Sequence, residues 1–159
     1  MTQRTLVLLR HAKAEHPSGY PQDIDRPLSS RGRADATAAG RWLVEAGLVP
    51  ELVLCSSAVR TRETWRSAAE TVGDIPVVYE PRLYLAGVLD ALDLIQKTDA
   101  SVSVLLVIGH NPTLSALSAT LDPDGGGDGL RTAGIAVHRL TGTWESQSAP
   151  LIHSHTARA

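Results

Sequence analysis

The sequence predicts an α/β fold, a three-layer α/β/α sandwich in which helices cover both faces of a mostly parallel central sheet. Two observations predict it. Continuous apolar runs at Thr5 to Leu9, Leu52 to Cys55 and Val102 to Ile108 are the pattern of strands buried on both faces. Between and after them, apolar residues recur at helical spacing.

The elements follow in order. Thr5 to Leu9 forms the first strand, β-branched at Val7. Ala36, Ala39, Leu43 and Ala46 mark the first helix, and Gly47 supplies its stop. Leu52 to Cys55 is the second strand. Trp65, Ala69 and Val72 mark a second helix that ends before Gly73. Ile75 to Tyr79 reads as a further strand, and Val88, Ala91, Leu92 and Ile95 as a third helix. Val102 to Ile108 is the strongest strand signal, followed by a fourth helix through Leu114, Leu117 and Leu121. Asp122 to Gly129 (DPDGGGDG) reads as a flexible loop, because clustered Gly and Asp favour turns over packing. Ala133 to Leu140 is a strand, expected at an antiparallel edge. Residues 142–159 read as one more strand and a frayed tail. The whole chain, 1–159, is taken as a single domain.

Composition narrows the function classes. A formal net charge of -2 gives no bulk attraction to nucleic acid or to a membrane surface. The apolar run Leu6 to Leu9 is too short for a signal-peptide core or a bilayer span. A single Cys fits a reducing compartment, so the expected location is cytoplasmic. With no Phe, the core must be built from Leu, Val, Ile and Ala. No Cys/His zinc spacing is present.

Chemistry is expected where strands end, because ligands of open α/β sheets bind beyond the carboxyl ends of the strands. The first strand runs into Arg10-His11-Ala12, the second into Ser56-Ser57-Ala58-Val59-Arg60-Thr61, the third into Gly109-His110-Asn111-Pro112. Asn111 is a good N-cap and Pro112 suits the first helical position, which would put His110 at an anion-favouring helix start. Ser57 is an equally plausible cap for the helix bearing Arg60. Arginine binds phosphate oxygens with a planar fork, and a neutral imidazole between two arginines can attack phosphorus. Each element alone has an ordinary reading as a packed or solvated side chain. Arg62, Glu63 and Arg66 are read as an exposed charged face, and His16, His138, His153 and His155 as structural or surface residues. Joint occurrence at three strand ends favours a phosphate site.

Leu8-Leu9-Arg10-His11-Ala12 resembles the signature of the histidine phosphatase superfamily, which also contains the cofactor-dependent phosphoglycerate mutases. The commoner form has Gly after the His. Ala, as in Ala12, is frequent in the small phosphohistidine phosphatases of the SixA type. Asp25-Arg26-Pro27-Leu28-Ser29 with Gly32 resembles the segment opening the next helix in that subgroup. Ser56 with Arg60-Thr61 and Glu63-Thr64 resembles the second arginine motif, and Val107-Ile108-Gly109-His110-Asn111-Pro112 the second histidine motif. The likeness runs from about Thr5 to Leu140, with little room for the insertions of mutases.

The resemblance implies a phosphoglycerate mutase-like fold and a phosphatase that needs neither metal nor cofactor. It implies that His11 is phosphorylated and that Arg10 and Arg60 hold the phosphoryl oxygens. His110 joins them, protonated, with Asn111 among the phosphate-binding residues. The expected partners are phosphohistidine on a protein or a small phosphate ester. One departure stands out: Leu85 occupies the position where many members carry a carboxylate general acid. Glu80, Asp23, Glu15 or water are the substitutes.

Three rivals stand beside this reading. A cysteine phosphatase is suggested by Cys55, but Arg60 follows five positions later rather than six, and Leu54 stands where a His is common. A non-catalytic phospho-ligand binding module would use the arginines without needing His11. A mutase-type phosphotransferase would share the site. A dinucleotide site fails, because the Gly cluster at Gly125 to Gly129 follows a helix rather than the first strand.

Overall fold

The structure, a computed structural model, describes residues 3–85, 87–125 and 129–159. The Gly126 to Asp128 part of the expected loop lies outside the described residues. The elements run β1 (Gln3–Arg10), α1 (Ser30–Glu45), β2 (Leu52–Ser56), α2 (Val59–Val72), β3 (Val77–Glu80), α3 (Val88–Gln96), β4 (Val104–Gly109), α4 (Thr113–Leu121), β5 (Gly134–Thr141) and β6 (Leu151–Thr156). They form one six-stranded sheet of order β3-β2-β4-β1-β5-β6. The first four strands in that order are mutually parallel, and β5 runs antiparallel to β1 and to β6.

Successive residues of a strand face opposite sides of the sheet, and the core divides accordingly. Val7, Leu9, Val53, Cys55, Leu106 and Ile108 pack with Ala36, Ala39 and Leu43 of α1 and with Trp65 and Ala68 of α2. Leu6, Leu8, Leu54, Leu105 and Val107 pack with Leu92 and Ile95 of α3 and with Leu114, Leu117 and Leu121 of α4. Helices therefore cover both faces, as the apolar runs require.

The structure corrects three expectations. β5 is not an edge: β6 pairs outside it, with a register shift between Val137 and His138. The third strand starts at Val77, because Pro76 has no N–H to give to a ladder. The tail is not frayed. Ala157 N donates to Ala133 O at 3.0 Å, Ala159 N donates to Asp35 Oδ1 at 2.9 Å, and Trp144, fully buried, donates from Nε1 to Val102 O at 2.9 Å.

Gly32 and Gly40 let α1 lie close to its neighbours. A Cβ at Gly40 would stand 2.3 Å from Ala68 O, and one at Gly32 would stand 2.0 Å from Lys13 O. Both obstacles are backbone, which cannot rotate away. Gly40→Ala is therefore expected to cost about 1–3 kcal/mol, by forcing α1 off α2. Urea unfolding measures it, and an unchanged midpoint would contradict this packing.

Candidate active site

The site is assembled by strand pairing. Arg10 on β1 is in register with Gly109 on β4, and His11 N donates to Gly109 O at 3.1 Å. The next residue on each strand is a histidine, and the two rings sit 5.3 Å apart. On the other side of β4, β2 ends at Ser56 and the chain turns into α2 with Arg60 in its first turn. The sequence-predicted residues Arg10, His11, Arg60 and His110 thus meet at one rim.

His11 is only 8% exposed. Its Nδ1 lies 2.8 Å from Ala12 O, which can only accept, so Nδ1 carries the hydrogen and Nε2 keeps the lone pair. Burial first, and then the charges of Arg60, Arg10 and Arg26, outweigh the bond to Ala12 and lower the ring's pKa to about 4. Ala12 is fully buried, and its N–H donates to Thr64 Oγ1 at 3.1 Å.

His110 is the second imidazole of the site. Burial, then His11 and Arg60, lower its pKa to about 3 in the free site. A phosphoryl dianion beside the ring would act in the opposite sense. Its Nε2 is hydrogen-bonded to Ser56 Oγ at 2.7 Å.

The arginines are anchored but not saturated. Arg10 donates from Nη1 to Leu130 O at 3.1 Å. Arg60, 6% exposed, donates from Nη1 to Asp23 O at 2.9 Å and from Nη2 to Asp23 Oδ2 at 3.0 Å. Arg26 donates from Nη2 to Asp23 Oδ1 at 3.0 Å and from Nη1 to Glu15 O at 3.0 Å. The Nε atoms of Arg10, Arg26 and Arg60 and the Nδ1 of His110 are buried without a hydrogen-bond partner. Arg4 Nε and Arg139 Nε, away from the site, are also buried without a partner, and each such atom costs desolvation free energy. The gathering of the other four around His11 suits an anion with several acceptor oxygens.

Tyr84 and Asp23 complete the cluster. The Tyr84 hydroxyl donates to Asp23 Oδ2 at 2.7 Å, and its ring meets the His110 ring edge-on at 5.6 Å. Tyr84 was not singled out in the sequence, where no local pattern links it to Asp23. Of Glu80, Asp23 and Glu15, Asp23 is the one whose side chain is hydrogen-bonded into the cluster among the described residues. Its pKa falls to about 2, chiefly through the Tyr84 bond and then those from Arg26 and Arg60, so it stays ionised. Leu85 is 87% exposed with φ 57°, and brings no acid to the position where one was expected.

Other expectations shift by a residue or change meaning. α4 begins at Thr113 with Pro112 as its cap residue, one later than predicted. Asn111 donates from Nδ2 to Leu130 O at 2.7 Å, and its Oδ1 accepts from Ser115 Oγ at 2.7 Å and from Ser115 N at 3.2 Å. Ala58, not Ser57, caps α2, while Ser56 Oγ accepts from Ala58 N at 3.3 Å. Glu63 is not a free surface charge: its Oε1 accepts from Leu28 N at 2.8 Å and ties the Asp23-bearing segment to α2. His138 is structural, bonded to Ser118 Oγ and Ala149 O, and His153 and His155 stack on Trp42. Cys55 is fully buried with its thiol pushed up to about 12 by burial, which removes it as a nucleophile.

The two site imidazoles also make stability pH-dependent. Folding keeps His11 and His110 neutral down to about 4 and about 3, whereas an unperturbed His protonates near 6.5. Between those limits the unfolded chain binds more protons, so their contribution is lost as pH falls below about 6.5. Melting temperature should decline from pH 7.5 to pH 4.5, and the decline should shrink in a His11→Gln/His110→Gln double variant. An equal decline in the double variant would assign the effect elsewhere.

Comparison with known proteins bears on the family and the fold. Residues 6–84 match the family model of the histidine phosphatase superfamily, branch 1. An uncharacterized protein of Mycobacterium tuberculosis is 39% identical over 162 residues, spanning 94% of this chain and all of the relative. The structure of a candidate phosphohistidine phosphatase, SixA, from Nakamurella multipartitia superposes with a TM-score of 0.90 at 33% identity, covering 100% of this chain and 99% of that one. A 2,3-bisphosphoglycerate-dependent phosphoglycerate mutase of Corynebacterium glutamicum is 36% identical over 88 residues, covering 52% of this chain and 35% of the mutase. The mixed sheet with two helices on each face is the phosphoglycerate mutase-like fold. The chain belongs to the histidine phosphatase superfamily.

Proposed function

We propose that this protein is a phosphatase that moves a phosphoryl group from phosphohistidine, or from an aryl phosphate, to His11 and then to water. One observation carries the reading. His11 is held neutral with Nδ1 on Ala12 O and its Nε2 lone pair free, beside unpartnered donors of Arg10, Arg60 and His110.

Nε2 attacks phosphorus, the bond to the leaving group breaks, and a phosphohistidine forms on His11. Arg10, Arg60 and His110 donate to the phosphoryl oxygens, whose charge they stabilise through the transition state. Water then attacks phosphorus, and His11 leaves with the electron pair. The setting we propose is cytoplasmic, in keeping with a single free thiol at Cys55.

Substrate class follows from the ionised Asp23 and the exposed Leu85. An alkoxide leaving group needs a positioned acid, worth on the order of 100- to 10,000-fold. Imidazole and phenolate leave without one. Rates on a phosphohistidine peptide and on 4-nitrophenyl phosphate should therefore exceed that on an alkyl phosphate by roughly 100-fold or more. Comparable turnover of an alkyl phosphate, lost selectively in Glu80→Gln, would make Glu80 the acid and overturn the substrate class. Strict dependence on bisphosphoglycerate, with phosphate passed back to the substrate, would mark a mutase.

A further inference from the structure

Asp23 is an unusual neighbour for a phosphate site. Its carboxylate stands against Arg60, so it adds negative charge where a phosphoryl group also brings it. If its only task were to fix Arg60, a neutral carbonyl could orient the guanidinium, by a weaker bond but without that repulsion. The main-chain oxygen of Asp23 already does this for Nη1 at 2.9 Å.

The hydrogen bonds leave room for another role. Oδ2 accepts from Arg60 and Tyr84, but Oδ1 accepts from Arg26 alone and keeps a lone pair. The Asp23 side chain is 48% exposed, so a substrate group can reach it, and through Tyr84, whose ring meets that of His110, it stands beside the phosphate site. Arg26, Arg60 and Tyr84 hold it in place, and its charge reaches His110.

The nucleophile shows what a phosphohistidine substrate needs. His11 keeps its Nδ1 proton on the Ala12 carbonyl while Nε2 is free to bond phosphorus. Transfer from a substrate imidazole is balanced when that ring likewise carries a proton on the nitrogen away from phosphorus. The P–N bond then breaks with its electron pair returning to nitrogen, and a neutral imidazole departs. The group passes from one N-protonated imidazole to another. No proton has to arrive during the step, provided an acceptor holds the substrate's distal N–H as Ala12 O holds that of His11.

Resting on the phosphohistidine reading above, we propose that the Asp23 carboxylate is that acceptor: a specificity-determining group that binds the distal ring N–H of phosphohistidine and holds the ring in its cationic, readily expelled form. It gives nothing comparable to a phenolate or alkoxide leaving group, which carries no such N–H. Tyr84 and Arg26 position it.

The test compares two substrates in three proteins. kcat/KM is measured on a phosphohistidine peptide and on 4-nitrophenyl phosphate for wild type, Asp23→Asn and Asp23→Glu. Both rates are expected to fall in Asp23→Asn, since Arg60 loses a charged partner. The ratio of phosphohistidine to aryl phosphate should fall by a further 10- to 100-fold, roughly the effect of one charge-assisted hydrogen bond. Asp23→Glu should restore part of the ratio. Equal losses on both substrates would reduce Asp23 to a positioning residue for Arg60 and overturn the proposal while leaving the phosphohistidine reading intact. A wild-type protein that turns over 4-nitrophenyl phosphate but not phosphohistidine would overturn both.

Discussion

His11→Gln is expected to lower turnover by at least about 10,000-fold and to leave no acid-labile phosphate on the protein. The size of the effect follows from the chemistry. Without Nε2 the reaction loses its covalent route, and direct attack by water must proceed in a pocket shaped for an imidazole. Gln is the informative replacement because it retains a polar group of similar reach without a nucleophilic nitrogen. Rapid-quench labelling with a radioactive phosphoryl donor reads the outcome: wild type should show acid-labile, base-stable phosphate mapping to His11. Label on another residue, or near-normal turnover in the variant, would refute a His11 nucleophile.

Arg60→Lys is expected to cost on the order of 100- to 1,000-fold in kcat, although the charge is retained. The guanidinium uses Nη1 and Nη2 on Asp23 and keeps a buried Nε–H in reserve. A lysine ammonium cannot anchor to Asp23 and present a second, fixed edge to a phosphoryl oxygen at the same time. The loss should appear in kcat more than in KM if the free edge acts mainly in the transition state. A variant within a few-fold of wild type would show that charge alone suffices at position 60.

These residues were legible in the sequence for a specific reason. Arg10, His11 and His110 directly follow apolar runs dense enough to identify as buried strands. Arg60 follows β2 within one helical turn. Strand ends in a parallel sheet lie at one rim, so local pattern and sheet geometry together convey a long-range contact. Tyr84 and Asp23 lack that help. They are 61 positions apart and meet only because the segment before α1 folds over α2, held by Glu63 on Leu28 N. Glu63 looked like an exposed helix charge for the same reason, since its partner is a backbone N–H that no side-chain pattern reveals. The environment of the His110 ring was not legible either, because motif matching carries no information on burial. Arg10, Arg60 and a second imidazole beside a desolvated ring lower its pKa.

The pairing of Arg10 with Gly109 has a wider consequence. The two histidines owe their mutual placement to the backbone ladder between β1 and β4, deep in the sheet, and not to any loop. A shift of one residue in that ladder would turn every side chain of a strand to the other face and unmake both halves of the core, so the ring pair is as hard to displace as the core itself. The stretch before α1 and the turn after β3, which carry Asp23 and Tyr84, continue from strand ends but take no part in the ladder itself. The ring pair and the Asp23–Tyr84 cluster thus rest on separate parts of the chain. A change of length or charge in those segments would therefore leave the two rings where the ladder puts them.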